Sequence, residues 1–139
     1  MLKPRHACCI LALTLCFFGC TKSVPSEEVA LVKSGTLSAC PDVPIGLAID
    51  SFFNGAKWAS GIGADGESKG KQLVNVEGEI LFMDKPITAA LQFVVDGEQK
   101  SFELHAMEFN GVPQNQLFMA ALVRKICEEY ATEQTGKEK

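Results

Sequence analysis

The stretch Leu73-Val74-Asn75-Val76-Glu77-Gly78-Glu79-Ile80-Leu81-Phe82 decides the fold class. Val74, Val76, Gly78, Ile80 and Phe82 alternate with Leu73, Asn75, Glu77, Glu79 and Leu81, the period of two shown by a strand buried on one face and wetted on the other. Downstream, Asp84-Lys85-Pro86 predicts a turn into a strand with Ala89, Leu91, Phe93 and Val95 on one face. Asp96-Gly97 then predicts a tight hairpin. It leads into Phe102, Leu104 and Ala106, opposite Glu103, His105, Met107 and Phe109. Strands joined in sequence by short turns make an antiparallel meander.

Beyond these strands, Asn110-Gly111 ends the sheet and Pro113 begins a helix to about Thr132. Its apolar residues Phe118, Met119, Leu122, Val123, Ile126, Cys127 and Tyr130 repeat at three and four, a face broad enough to lie on a sheet. On the other side, the β-branched and apolar content from Val29 to Leu37, closed by Gly35 and Pro41-Asp42-Val43-Pro44, predicts a first strand and a turn. Ile45, Ala48, Ile49, Phe52 and Phe53 then fall on one helical face, and Asn54-Gly55 stops that short helix. Trp58 belongs to a strand or its approach, and the four glycines between Ser60 and Gly70 suggest a mobile loop. The expected fold is α+β: a three- to four-stranded antiparallel meander, with a short N-terminal helix and a long C-terminal helix packed on it.

The first twenty residues carry an address. Lys3 and Arg5 precede an apolar run from about Ala7 to Phe18, the length of a signal-peptide core and too short to span a bilayer. The run closes on Phe17-Phe18-Gly19-Cys20, which resembles the lipobox of bacterial lipoproteins, where a small residue precedes the cysteine that becomes acylated. Phe17 and Phe18 stand where that family carries Leu and a small residue. The resemblance implies a signal over residues 1–19 and lipidation at Cys20, with the bilayer as the first partner. Thr21, rather than Asp, implies sorting to the outer membrane, facing the periplasm. Secretion with ordinary cleavage and a retained anchor are the alternatives. Residues 20–28 are polar and read as a flexible tether. Residues 29–132 then form one domain, and 133–139 a disordered tail.

With the signal set aside, the cysteines sort themselves. Cys8, Cys9 and Cys16 lie in the signal and Cys20 is the lipid site, which leaves Cys40 and Cys127. In an oxidising compartment an isolated pair is most simply one structural disulfide, tying the terminal helix to the start of the domain. A reactive or metal-binding pair is the alternative, without a C-x-x-C to support it. Charge narrows the partners further. The chain has 13 Lys and Arg against 17 Asp and Glu, a formal net charge of −4. Losing Lys3 and Arg5 would take the charge to −6, the wrong sign for a nucleic-acid surface.

Motifs for chemistry are sparse. Gly61-Ile62-Gly63-Ala64-Asp65-Gly66 matches a dinucleotide fingerprint literally, but no amphipathic helix follows to present N–H groups to a pyrophosphate, so no cofactor is expected. Glu103 and His105 could form an acid/base pair, yet no nucleophile elbow accompanies them. One imidazole with scattered carboxylates makes no metal site. Glu77 and Glu79 share a wetted face without a sign of the cleft that glycoside hydrolysis needs. His105, Met107 and Phe109 form either a partner surface on the outer face of the last strand or ordinary core beneath a helix.

Several segments also share a pattern. Val32-Lys33-Ser34-Gly35-Thr36-Leu37, Pro44-Ile45-Gly46-Leu47-Ala48-Ile49-Asp50 with Phe52-Phe53, Lys57-Trp58 and Val74-Asn75-Val76-Glu77-Gly78 resemble a group of small bacterial secreted and lipoprotein domains of uncharacterised function. The likeness runs through the Phe93 and Phe102 strands to Asn110-Gly111. It rests on packing and turn residues and implies no catalytic group. The expectation is a non-enzymatic binding or assembly module of the cell envelope, with an envelope protein as partner. A periplasmic enzyme centred on Glu103 and His105, or a carrier of a small apolar ligand held between sheet and long helix, are the alternatives.

Overall fold

The computed structural model of the chain describes residues 25–137; the expected signal, its lipobox-like end and Cys20 lie outside the described residues. Three helices and five strands follow in the order α1 (Glu27–Ser34), α2 (Ile45–Phe52), β1 (Asn54–Ile62), β2 (Gln72–Phe82), β3 (Lys85–Asp96), β4 (Ser101–Phe109), β5 (Val112–Pro113) and α3 (Gln116–Lys137). The strands form one antiparallel sheet in sequence order. The helices cover one face of it. Val74, Val76 and Ile80 of β2 and Ala89, Leu91, Phe93 and Val95 of β3 point into a core shared with Val32, Ile45, Ile49, Leu122 and Ile126. The α+β meander with a long terminal helix is therefore present, with five strands, of which β5 has two residues.

The segment expected as a first strand is helical. Its reading as a strand rested on β-branched content, but Val29 and Val32 are three apart and both are buried, the spacing of a helix face. Ser26 caps the helix by accepting the Val29 N–H at 3.2 Å, and Glu27 and Glu28 occupy the first turn, where the helix dipole favours acids. Burial against the sheet overrides the weak intrinsic preference of valine for strands. The expected tether thus gives way to helix at Glu27.

β1 extends through Ser60, Gly61 and Ile62, pairing Ser60 with Val74 and Ile62 with Gln72, so the loop begins later than its glycines suggested. That loop is closed by the Gly63 N–H donating to the Lys71 carbonyl and the Gly70 N–H to the Gly63 carbonyl, each at 2.9 Å, around one 3-10 turn at Gly66–Ser68. The glycine motif therefore joins strand to strand. Met83 and Asp84 make the β2–β3 turn, both with positive φ (51° and 62°), and Phe82 pairs with Lys85. Asn110 and Gly111 similarly turn the chain into β5 rather than ending the sheet, so Pro113 lies in a strand. The last helix starts instead after Asn115, whose side chain accepts the Phe118 N–H at 3.0 Å. It continues to Lys137, past the expected end near Thr132, so residues 133–137 of the expected tail are helical.

Residues that carried the family likeness meet at one junction. Lys33 Nζ lies 2.6 Å from Asp50 Oδ2 and 5.2 Å from the centre of the Trp58 ring, while the Trp58 Nε1–H donates to Asp50 Oδ1 at 2.7 Å. The three side chains tie α1, α2 and β1 together. Gly46 lets α2 approach α1: a Cβ there would stand 2.7 Å from the Lys33 Cα and 2.8 Å from its carbonyl oxygen. Gly46→Ala should therefore lower stability by about 1–3 kcal/mol by forcing the helices apart, although alanine is the better helix former. A thermal melt checks this, and a Tm at or above wild type would refute it.

Cys40 and Cys127 are joined as a disulfide, with Cα atoms 6.0 Å apart. The bond is buried beside Val123 and fastens the α1–α2 connection to the middle of α3. Both the pairing and its partners agree with the sequence expectation. Cys40 stands just before the short Ile45–Phe52 helix, which is the second helix because Glu27–Ser34 forms one ahead of it.

Candidate functional site

His105, Met107 and Phe109 do not share one outer surface, and a bulge is the reason. Gln92 pairs with Ala106 but Phe93 pairs with Leu104, so His105 is an extra residue and the parity of β4 changes there. Phe102 and Leu104 before the bulge, and Met107 and Phe109 after it, consequently all turn towards the helices. Met107 is 1% exposed and belongs to the core. Phe109 packs against that core, and His105 is half-buried. A partner surface composed of these three side chains is thereby replaced by a core contact. The sequence carried a trace of this, since Phe102, Leu104, Met107 and Phe109 break a strict period of two by one position.

Glu103 remains exposed on the open face of the sheet. Among the described residues no hydrogen bond or ion pair joins it to His105, and no three His, Cys, Asp or Glu side chains gather as a metal site. Glu77 and Glu79 likewise stand exposed on the open face, two residues apart along β2.

A different place concentrates exposed apolar surface. Where the β2–β3 hairpin meets the first turns of α3, a groove of about 300 Å³ is lined by Phe52, Phe82, Met83, Phe109, Phe118 and Leu122, among others. The Phe82 and Phe109 rings form its wall, with centroids 5.4 Å apart at 49°. Met83 is 81% exposed, Leu81 69% and Phe118 47%. Leu117 and Val112 are also largely exposed. Lys125 gives the groove a cationic edge, and its hydrogen bond to Glu129, with that carboxylate's charge, raises its pKa above the ordinary lysine value. The amine stays protonated throughout the physiological range.

Two local facts place this patch. Leu81-Phe82-Met83 puts three apolar residues in succession at the end of a strand, so both faces of the hairpin become apolar at its tip. Met83 also occupies the left-handed region, where a long side chain costs about 1–2 kcal/mol and where Asn or Gly is usual in a two-residue hairpin turn. Phe118 was expected on the buried face of the last helix; α3 extends past the edge of the core at that turn and leaves it in the groove wall. The apolar run was the available signal, but its exposure depends on where α3 crosses the hairpin.

The class defined by these features is an α+β domain with helices on one face of an antiparallel meander and an apolar groove at one end. Comparison with protein families, with curated proteins and with solved structures finds no match for this chain.

Proposed function

We propose that this protein is a lipid-anchored envelope protein, acylated at Cys20 and held at the outer membrane facing the periplasm, whose domain is a non-enzymatic module that binds a partner protein at the hairpin groove. The observation that carries the binding reading is the exposed apolar cluster of Leu81, Phe82, Met83 and Phe118 around one groove, because contiguous apolar surface bounded by polar residues marks interaction sites. A strained, exposed methionine at its tip adds weight, since backbone strain that stability does not require concentrates at functional positions. The lipid anchor rests on the Gly19-Cys20 motif and the apolar run before it, in keeping with the likeness to small secreted and lipoprotein domains.

Geometry favours an envelope protein over the anchoring bilayer as occupant of the groove. Pro25 stands beside Ala59 and Ser60, and Ser60 pairs with Val74 at the end of β2 remote from Met83. Five residues from Cys20 to Pro25 reach at most about 18 Å. The path from Val74 to Phe82 adds about 26 Å. The apolar tip thus lies at the end of β2 remote from the start of the domain, which supports an envelope protein as the groove's occupant.

Radiolabelled palmitate should enter the wild-type chain and not Cys20→Ala; equal labelling removes the anchor. For the groove, a photocrosslinking amino acid at Met83 or Phe118 in living cells should give a discrete protein adduct that the same probe at Asn75 or Gln92 does not. Met83→Asn should leave stability unchanged or raise it by about 1 kcal/mol, since asparagine tolerates the turn, yet weaken the Phe118 adduct. Adducts indifferent to position and to Met83→Asn would end this reading. The groove volume also suits a small apolar ligand. A lipid adduct at Met83 in place of a protein would select that alternative.

A further inference from the structure

We infer that the free edge of β4 is a strand-addition site for an extended protein segment that alternates apolar and basic residues. β5 pairs only with Glu108 and Phe109, and beyond it the Gln114 N–H donates to the Met107 carbonyl at 2.8 Å. From Ser101 to Ala106, β4 is bonded to β3 on one side. Among the described residues no main-chain group pairs with the other side. An open row of donors and acceptors is a template for a further strand.

The surroundings distinguish this edge from the one on β1. Both edge strands carry a register break, β1 between Asn54 and Lys57 and β4 at His105, so the unbroken stretch of the β4 edge is Ser101–Leu104. β1 adds the charge of Lys57, which discourages pairing. Beside β4 lies a groove of about 560 Å³, between the strand, the connection after α1 and the first half of α3, larger than the one of about 300 Å³ beside Trp58, Ala59 and Ser60 of β1. Its apolar walls come from Leu37, Phe102, Leu104, Met119 and Val123. A strand needs about 4.8 Å of lateral space and a surface for every second side chain. The groove's apolar walls supply that surface.

The same walls define the occupant. Side chains of an added strand would alternate between the helix side, where Leu104, Met119 and Val123 wait, and the open side, where Glu103 stands exposed. Glu108 stands exposed on the same open face of β4, and the chain has a net charge of −4. Lys or Arg at alternate positions would meet opposite charge across the strands, whereas acidic residues would meet like charge. This inference is independent of the groove at the hairpin tip. Phe118 and Leu122 line the tip on one flank of α3, and Met119 and Val123 line the β4 edge on the other.

The test uses the full chain in neutral detergent micelles and a fluorescein-labelled hexapeptide alternating Val and Lys. Saturable binding by anisotropy is expected. N-methylation of alternate residues, which keeps the charge and removes one row of N–H donors, should weaken binding at least tenfold in the register that faces β4. Glu103→Lys, at an exposed position, should weaken it about fivefold and favour the matching Val/Glu peptide. Amide exchange from Ser101 to Ala106 should slow on peptide addition while exchange along β1 stays unchanged. Equal binding of methylated and unmethylated peptides would overturn the inference by reducing the association to charge. Slowed exchange along β1 would overturn it by placing the peptide at the wrong edge. Slow exchange at β4 without peptide, in a chain of dimeric mass, would assign the edge to a second copy instead.

Discussion

Replacing Cys40 and Cys127 together by alanine is expected to lower the unfolding free energy by about 4–5 kcal/mol. The two residues are separated by 87 positions, so the bond closes a loop spanning most of the domain. In the chain-entropy model a cross-link of that span removes about 4–5 kcal/mol of freedom from the unfolded chain. A domain of this size holds only about 5–15 kcal/mol in total, so the variant would sit near the limit of folding. Urea titration followed through Trp58 measures the change. The midpoint should fall, and the slope should rise because an unfolded chain without the cross-link exposes more surface. Reduction of the wild-type protein should reproduce the shift. A midpoint equal to that of the oxidised protein would show that the bond does not constrain the unfolded state.

The second large effect is expected at Phe93. Its side chain is wholly buried at the centre of β3, stacked on Trp58 at 6.4 Å and meeting the Phe102 ring edge-on at 5.9 Å. Phe93→Ala should cost about 3–5 kcal/mol, the lost transfer free energy together with the cavity left behind. Phe93→Leu keeps most of the volume and should cost about 1–2 kcal/mol, through the lost aromatic contacts and an imperfect fit. Trp58 is the only tryptophan, so its emission reports on the vacated neighbour as well as on unfolding. A loss below 1 kcal/mol for Phe93→Ala would mean that the helices close over the gap and that the ring is not central to the core.

Local pattern was enough for some elements. The alternation from Leu73 to Phe82, the pairing of Asp96-Gly97 with a hairpin, the Ile45/Ala48/Ile49 spacing and the three-and-four repeat of the last helix each encode a buried face within one segment. The cysteine pair was legible too, once Cys8, Cys9 and Cys16 were read as part of an expected signal and Cys20 as an expected lipid site. Composition misled at Val29 and Val32, where β-branched residues sit at helical spacing behind a serine cap. It was also too weak for β1, whose glycines, alanines and serines hold no regular alternation. That strand exists because β2 offers it an edge.

The candidate site was less accessible. Leu81-Phe82-Met83 was visible as an apolar run, but nothing local indicates which of those side chains stays in water. Phe118 reads as part of a buried helix face until the crossing of α3 with the hairpin is known. Met107 and Phe109 show the limit most clearly. A period of two assigns residues to alternating faces only while register holds, and one extra residue at His105 exchanges the faces beyond it.

By itself, then, the sequence determined an α+β meander, its long terminal helix and the partner of each domain cysteine, because periodicity and turn chemistry act between near neighbours in the chain. The tertiary structure alone decided that Val29 and Val32 fold as a helix, that a bulge carries Met107 into the core, that α3 leaves an apolar groove beside Met83, and that β5 stops short of covering β4. Each of these depends on which distant surface a segment meets, and burial against that surface outweighs the weak preferences of the residues themselves.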